Sequence, residues 1–385
     1  MFRAGIYAGW TGFNNLGEEA VFQLCRQRFP TIHWSSFNSL DYTAKPGQFI
    51  RQRGHDFNQI RRVVSEELST GRRLRGLAVK TKLRVARFAG GEAGICGGDV
   101  FINRNALSLR AYSEVRKRTG APVPVFGTGV AHADFWSARD PGWVDRRREW
   151  TSFLEELPVV GVRGPYSKAY LEEAGARNVM VCGDPAVMLH ARYKKGPDRI
   201  RPHGLLRIGI NAGAYPITWG RPDEIRNSVI VLAQWLRKAG HQIEILPAWS
   251  RDEAACLEVA RKAGLDRSAV LPVRSSHEDF LNQVENLDLM VAWNLHTGIL
   301  AAAANVPFVS LDYQPKCRDF AASIGWEDFL VKADQIQPEI LIDRVSSLIS
   351  QLDVKRTELC REMCRMMNTF ENYCQDIEPL LLGKK

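Results

Sequence analysis

Short, uninterrupted apolar runs alternate with longer segments of helical periodicity along most of the chain. The clearest case is residues 286–320. Residues 287–293 form an apolar run too brief for a helix and bounded by polar residues, which predicts a buried strand. Residues 297–305 are rich in Ala and Leu and stop at Asn305 ahead of Pro307, as a helix with a narrow face does. Residues 306–311 are apolar again, which completes a β-α-β unit with a parallel strand pair.

The same alternation recurs on both sides. In the first half, a strand over 4–9 leads through a Gly- and Asn-rich loop into a helix over 18–29. Later strands are expected at 123–126, with Gly127 and Gly129 in the loop after it, and around 159–163 and 179–183. In the second half, strands at 207–211, 242–246 and 269–273 alternate with helices at 223–239, 251–263 and 278–285. Helices over 338–349 and 354–373 end the chain. Residues 190–204 are basic, turn-rich and carry two prolines, as an interdomain linker would. The pattern predicts an α/β protein of two Rossmann-like domains facing across a cleft. Their expected bounds are 1–195 and 206–350, with 351–385 a helix that packs back on the first.

Length and composition agree, because 385 residues exceed what one core usually serves. The net charge of +9 favours anionic partners, but no nucleic-acid recognition module is visible, so nucleic acid is not expected among them. The eight cysteines include no Cys-x-x-Cys pair, and no metal or bound cofactor is expected. Cys360 and Cys364 stand four apart on a predicted helix, which could bring two thiols together; reduced core or surface thiols are the plainer reading. No secretory leader and no run of 18 apolar residues is seen, so a cytoplasmic location is expected. Residues 72–88 carry seven basic residues, no acid and a one-sided apolar stripe. They read either as an ordinary surface helix or as one lying on an anionic membrane at the inner face.

Candidate chemistry clusters where strands end. His296 and Asn294 fall between a strand's carboxyl end and a helix start, the edge at which open parallel sheets bind ligands. Unpaired N–H groups there suit an anion. The loop containing Asn14, Asn15, Gly17 and Glu18 is a similar device, since glycines admit close backbone approach. Gly97 and Gly98 end another strand. Arg163 ends a further one and reads either as an anion-binding fork or as a domain-interface ion pair.

Taken in order, these motifs resemble the polysaccharide pyruvyl transferase family. The segment Asn15-Leu-Gly17-Glu18-Glu19-Ala20 is similar to an Asn-x-Gly-Asp-Glu-Ala element, with Glu for Asp. Gly97 and Gly98, Gly127 and Gly129, Arg163, and Asp184-Pro185 match further positions. Asn294-Leu295-His296 and Tyr313-Gln314-Pro315-Lys316 stand where the family has Arg-Leu-His and Tyr-x-Pro-Lys. Asn294 therefore replaces a usual arginine, and Gly213 falls where another is often found.

The resemblance implies a GT-B-like fold with an acceptor-side first domain and a donor-side second domain. It also implies phosphoenolpyruvate as co-substrate and a saccharide acceptor, free or lipid-linked, that becomes a cyclic pyruvate ketal. His296 would be the acid. Arg163, Asn294, Lys316 and Arg318 would hold the donor's anionic groups, with Arg221 a further candidate to replace the missing charge. Two alternatives stay open: a glycosyltransferase using a nucleotide-sugar on the same frame, and a non-catalytic sugar-binding subunit of a polysaccharide assembly system.

Overall fold

The computed structural model describes residues 3–9, 11, 15–37, 92–98, 100–101, 106–136, 143–192, 204–213, 218–274 and 276–383. The basic stretch 72–88, Asn14 and most of the expected linker lie outside the described residues.

Two parallel sheets organise the molecule. The first contains β1 (Arg3–Ala8), β2 (Ile32–Phe37), β3 (Ala93–Gly97), β4 (Val100–Phe101), β5 (Val125–Val130), β6 (Val160–Val162) and β7 (Val179–Val181). Its order is β2-β1-β3-β5-β6-β7, with β4 continuing alongside β5 beyond the end of β3. The second contains β8 (Arg207–Ile210), β9 (Gln242–Ile245), β10 (Leu289–Ala292), β11 (Phe308–Asp312) and β12 (Leu330–Lys332), in the order β12-β11-β10-β8-β9. Both are doubly wound. Order reverses between β1 and β3 in one sheet and between β8 and β10 in the other, and a crevice opens outside the strand ends at such points. All four residues of β10 and all five of β11 are buried, as strands covered on both faces must be, which is why they lack alternation in the sequence.

Three expected features differ. Residues 269–273 do not form a strand: a 3₁₀ turn over Arg267–Ala269 leaves only a single bridge between Val270 and Ile245 at the sheet edge. Gly127 and Gly129 lie inside β5 rather than in a loop after it. The pairing to β6 shifts register between Val125 and Thr128, where Gly127 adopts φ +65°. The Tyr313–Lys316 turn opens directly into a helix, Pro315–Ser323, with Pro315 in its first turn where the missing N–H costs nothing.

The terminal helix, Leu352–Leu382, returns across the molecule to the first sheet. Phe370 packs edge-on against Phe126 of β5 at 5.0 Å, and the Tyr373 hydroxyl donates to the Val125 carbonyl. Gly161 of β6 gives that ring room: a Cβ there would lie 2.5 Å from it. Arg28 reaches Glu371 and Glu378, and Arg3 donates to the Leu381 carbonyl.

The seam between the two sheets is polar and buried at its centre. Asp319, on the helix after β11, accepts from Ser167 N (3.0 Å) and Ser167 Oγ (2.5 Å), on the helix Pro165–Glu173 after β6. Ser167 Oγ in turn accepts from Val130 N at 2.9 Å. Gly164 makes the approach possible, since a Cβ there would stand 2.1 Å from the Asp319 carbonyl oxygen. Farther out, Arg318 pairs with Asp134 at 2.6 Å and stacks over Trp219.

Candidate active site

The two crevices face each other, and the residues between them come from strand ends of both sheets. From the first sheet, β1 leads into the helix Leu16–Arg28, whose N-cap Asn15 accepts from Gly17 N through its side chain. From the second, β10 leads into the helix Leu295–Ala303, which starts without a side-chain cap. His296 in its first turn lies directly over Gly17. A Cβ on Gly17 would fall 1.9 Å from the ring's Cγ, so only glycine lets the imidazole seat there.

Beneath His296 sits a buried ion pair. Arg163 Nε donates to Asp184 Oδ2 at 2.7 Å, with both side chains nearly inaccessible to solvent. Asp184 Oδ1 also accepts from Ala186 N at 2.9 Å. His296 Nε2 stands 4.0 Å from the same Oδ2, beyond hydrogen-bond reach, and has no hydrogen-bond partner among the described residues. Arg163 Nη1 is likewise buried and unpartnered among them. Burial opposes the arginine's charge, yet Asp184, with Asp319 and Glu18 behind it, raises its pKa above the ordinary value. Arg163 is therefore an ion-pair residue first, with one guanidinium edge left over.

His296 is held neutral. Burial lowers its pKa to about 4, and Arg163 and Lys316 push the same way against the opposing pull of Asp184. Near neutral pH the imidazole is therefore unprotonated, and a group of opposite charge beside it would raise its pKa. The cationic groups that act on it are those that would hold such a group.

On the other side of Gly17, Glu18 is buried and reaches toward Gly98, where a Cβ would lie 2.0 Å from its Oε2. Gly98 adopts φ +65° and ends the first stretch of the β3–β4 edge. Tyr7 brings its hydroxyl alongside Gly97, buried and without a partner among the described residues. Thr128 Oγ1 donates to the Gly98 carbonyl and ties this turn to β5.

The two missing arginines prove to be neighbours. A Cβ on Gly213 would stand 2.9 Å from Asn294 Oδ1, so both departures fall at one place. Asn294 Nδ2 donates to the buried Asp252, and its backbone N–H donates to Asn211, whose side chain also bonds the Leu246 carbonyl. Of the proposed replacements, Lys316 acts electrostatically on His296, while its ammonium lies 5.5 Å from the Tyr313 ring centroid. Arg318 is engaged at the seam with Asp134, and Arg221 is solvent-exposed and pairs with Glu224 at the start of its own helix.

The structure thus gathers Asn15, Gly17, Glu18, Gly97, Gly98, Arg163, Lys316 and His296 around the facing crevices. Gly127 and Gly129 lie within β5, and a Cβ on Gly127 would stand 2.6 Å from the Gly183 carbonyl oxygen beside Asp184. No local pattern in the sequence marks Tyr7, Asp252, Asn211 or the Ser167–Asp319 contact as site features. Asp184 was visible only as one half of an Asp-Pro dipeptide.

Two doubly wound parallel sheets with facing crevices make up a GT-B-like fold. Within that fold class the chain belongs to the polysaccharide pyruvyl transferase family, whose model matches residues 48–315. No functionally curated protein matches it in sequence. Among solved structures it is similar to the S. aureus MnaA–UDP co-structure, with TM-score 0.59 and 12% identity over 100% of this chain and 98% of that one. A glycosyltransferase from Rickettsia africae gives TM-score 0.55 and 10% identity over 100% of both chains. UDP-GlcNAc 2-epimerase from Neisseria meningitidis bound to UDP-GlcNAc gives 0.52 and 14%, over 99% of both. At these identities the likeness establishes the fold alone. Among the described residues no helix is long and apolar enough to cross a membrane.

Proposed function

We propose that the protein transfers a pyruvyl group from phosphoenolpyruvate to two hydroxyls of a sugar in a surface polysaccharide or its lipid-linked precursor. The observation that carries this reading is the position of His296. It is brought from the second sheet onto Gly17 of the first, next to Arg163 and within the field of Lys316. Forming the ketal requires a proton on the donor's methylene carbon, attack by one sugar hydroxyl, departure of phosphate, and closure by the second hydroxyl. His296 supplies the proton and regains one from the attacking hydroxyl, and the second hydroxyl's proton leaves with the phosphate. Arg163 and Lys316 attract the donor's phosphate and carboxylate. The amphipathic stretch 72–88 would hold the enzyme near a lipid-linked acceptor at an anionic membrane.

The neutral resting state of His296 makes this testable. Its pKa of about 4 in the free protein rises when a phosphate dianion is bound beside it, so binding takes up a proton. A group whose pKa is raised on binding contributes affinity that is complete below the free value and is lost as pH rises through the bound value. Because the donor's phosphate is itself a dianion only above about pH 6, the proton uptake and the fall in donor affinity should appear as pH rises beyond that value. Calorimetric titration of phosphoenolpyruvate in two buffers of different ionisation enthalpy should reveal the uptake, and His296→Gln should abolish it. Equal heats in both buffers would sink the assignment.

A second reading is favoured by one observation, the absence of arginine at Asn294 and Gly213. A glycosyltransferase would bind a nucleotide diphosphate in the same crevice. Thermal-shift titration separates the two, because a ligand at 100 times its Kd stabilises by about 2.7 kcal/mol. Phosphoenolpyruvate should raise the unfolding midpoint and UDP should not. The reverse result would replace the pyruvyl reading.

A further inference from the structure

Away from the crevice, three metal-ligating side chains converge where the terminal helix crosses behind it. Cys360 and Cys364 stand one helical turn apart on Leu352–Leu382, both partly exposed, and His190 is fully buried opposite them. Their ligating atoms all lie within 4.8 Å of one another, and His190 Nε2 is 3.8 Å from Cys360 Sγ. With Zn–S about 2.3 Å and Zn–N about 2.0 Å, a tetrahedral site has edges of roughly 3.5 Å. Side-chain adjustment alone closes the difference.

The histidine is already oriented for coordination. Its Nδ1 lies 2.9 Å from the Ala303 carbonyl oxygen, which can only accept, so Nδ1 carries the hydrogen and Nε2 presents its lone pair to the thiols. A backbone carbonyl on the far ring nitrogen is the usual support for a metal-bound imidazole. The remaining six cysteines are all buried elsewhere, so this pair is distinct in exposure as well as in company.

We propose that His190, Cys360 and Cys364 form a zinc site that pins the terminal helix to the two segments carrying the crevice residues. Two thiolates and an imidazole suit Zn²⁺, and the fourth position is left for water or an external ligand. His190 belongs to the 3₁₀ segment Pro185–Arg192 that follows Asp184, and Ala303 ends the helix that begins beside His296. The ion would tie these segments together at their far ends. This inference is independent of the reaction assigned to the crevice.

The test uses the full chain, reduced and stripped with chelator. Zn²⁺ titrated against a chromophoric competitor should bind one equivalent per chain and raise the thermal midpoint. Co²⁺ in its place should give thiolate-to-metal charge-transfer absorption. The double variant Cys360→Ser/Cys364→Ser should lose the saturable binding, the absorption and the thermal response. Its metal-free midpoint should match the wild type, because both thiols lie partly in solvent. If the wild type takes up no stoichiometric zinc, or the double variant binds it equally well, the site does not exist.

Discussion

Replacing His296 by glutamine is expected to lower kcat by about 10²-fold or more while leaving phosphoenolpyruvate affinity within a few-fold at high pH. Glutamine fills much the same space over Gly17 and keeps a polar end toward Asp184, but it cannot carry a proton. The loss therefore falls on the chemical step. Phosphate release in single turnover measures it directly, and a thermal midpoint close to wild type shows that the fold is intact. Gly17→Ala is the complementary variant, since its Cβ would occupy a point 1.9 Å from the ring's Cγ and force the imidazole aside. That change removes no reactive group, yet turnover should fall with it. If His296→Gln turns over at full rate, the ring serves only to pack against the first helix.

Arg163→Ala should have the largest effect on stability of any single change at the site, about 3–5 kcal/mol, because it strands the Asp184 carboxylate in a buried position. An anion-binding fork at Arg163 predicts a loss of donor affinity as well. The ion pair adds a structural cost that has to be separated from it. Asp184→Asn should destabilise comparably by leaving the guanidinium uncompensated. The double variant Arg163→Met/Asp184→Leu should recover much of the loss, since an apolar pair of similar volume often replaces a buried ion pair at little cost. Denaturant midpoints for the wild type, Arg163→Met, Asp184→Leu and the double variant close the cycle. Near-additive losses in the double variant would mean that the two side chains do not act as a pair. Donor affinity in the double variant then isolates what the spare Nη1 edge of Arg163 contributes.

The two-sheet architecture was legible because parallel strands buried on both faces read as unbroken apolar runs, and the helices between them keep their period. Residues 287–293 and β10 describe the same object. What failed were places where a proline or a pairing partner decides the outcome. Pro315 reads as a turn residue but starts a helix, and the last helix, expected to end at 373, runs on through Pro379 to Leu382. There the apolar stripe runs on through Ile377 and Leu381, both buried. The site was legible as a set of strand ends and illegible as a set of partners. Arg163 and Asp184 are 21 residues apart, and Ser167 and Asp319 are 152 apart. No local pattern encodes either contact, because both depend on how whole elements are placed. The adjacency of Gly213 and Asn294 was hidden for the same reason, although each had been noted singly.

The return of the terminal helix to the first sheet also sets a schedule for biosynthesis. Domains generally fold in the order in which they leave the ribosome. Here the groove beside Phe126, Gly161 and Gly183 waits for Met366, Phe370 and Tyr373, which are translated after every strand of the second sheet. The second sheet, encoded between them, has every strand available earlier. The first sheet, made before the second, is thus completed after it. Until that helix emerges, the apolar floor of the first sheet stays open to chaperones, to aggregation, or to the helix of another copy.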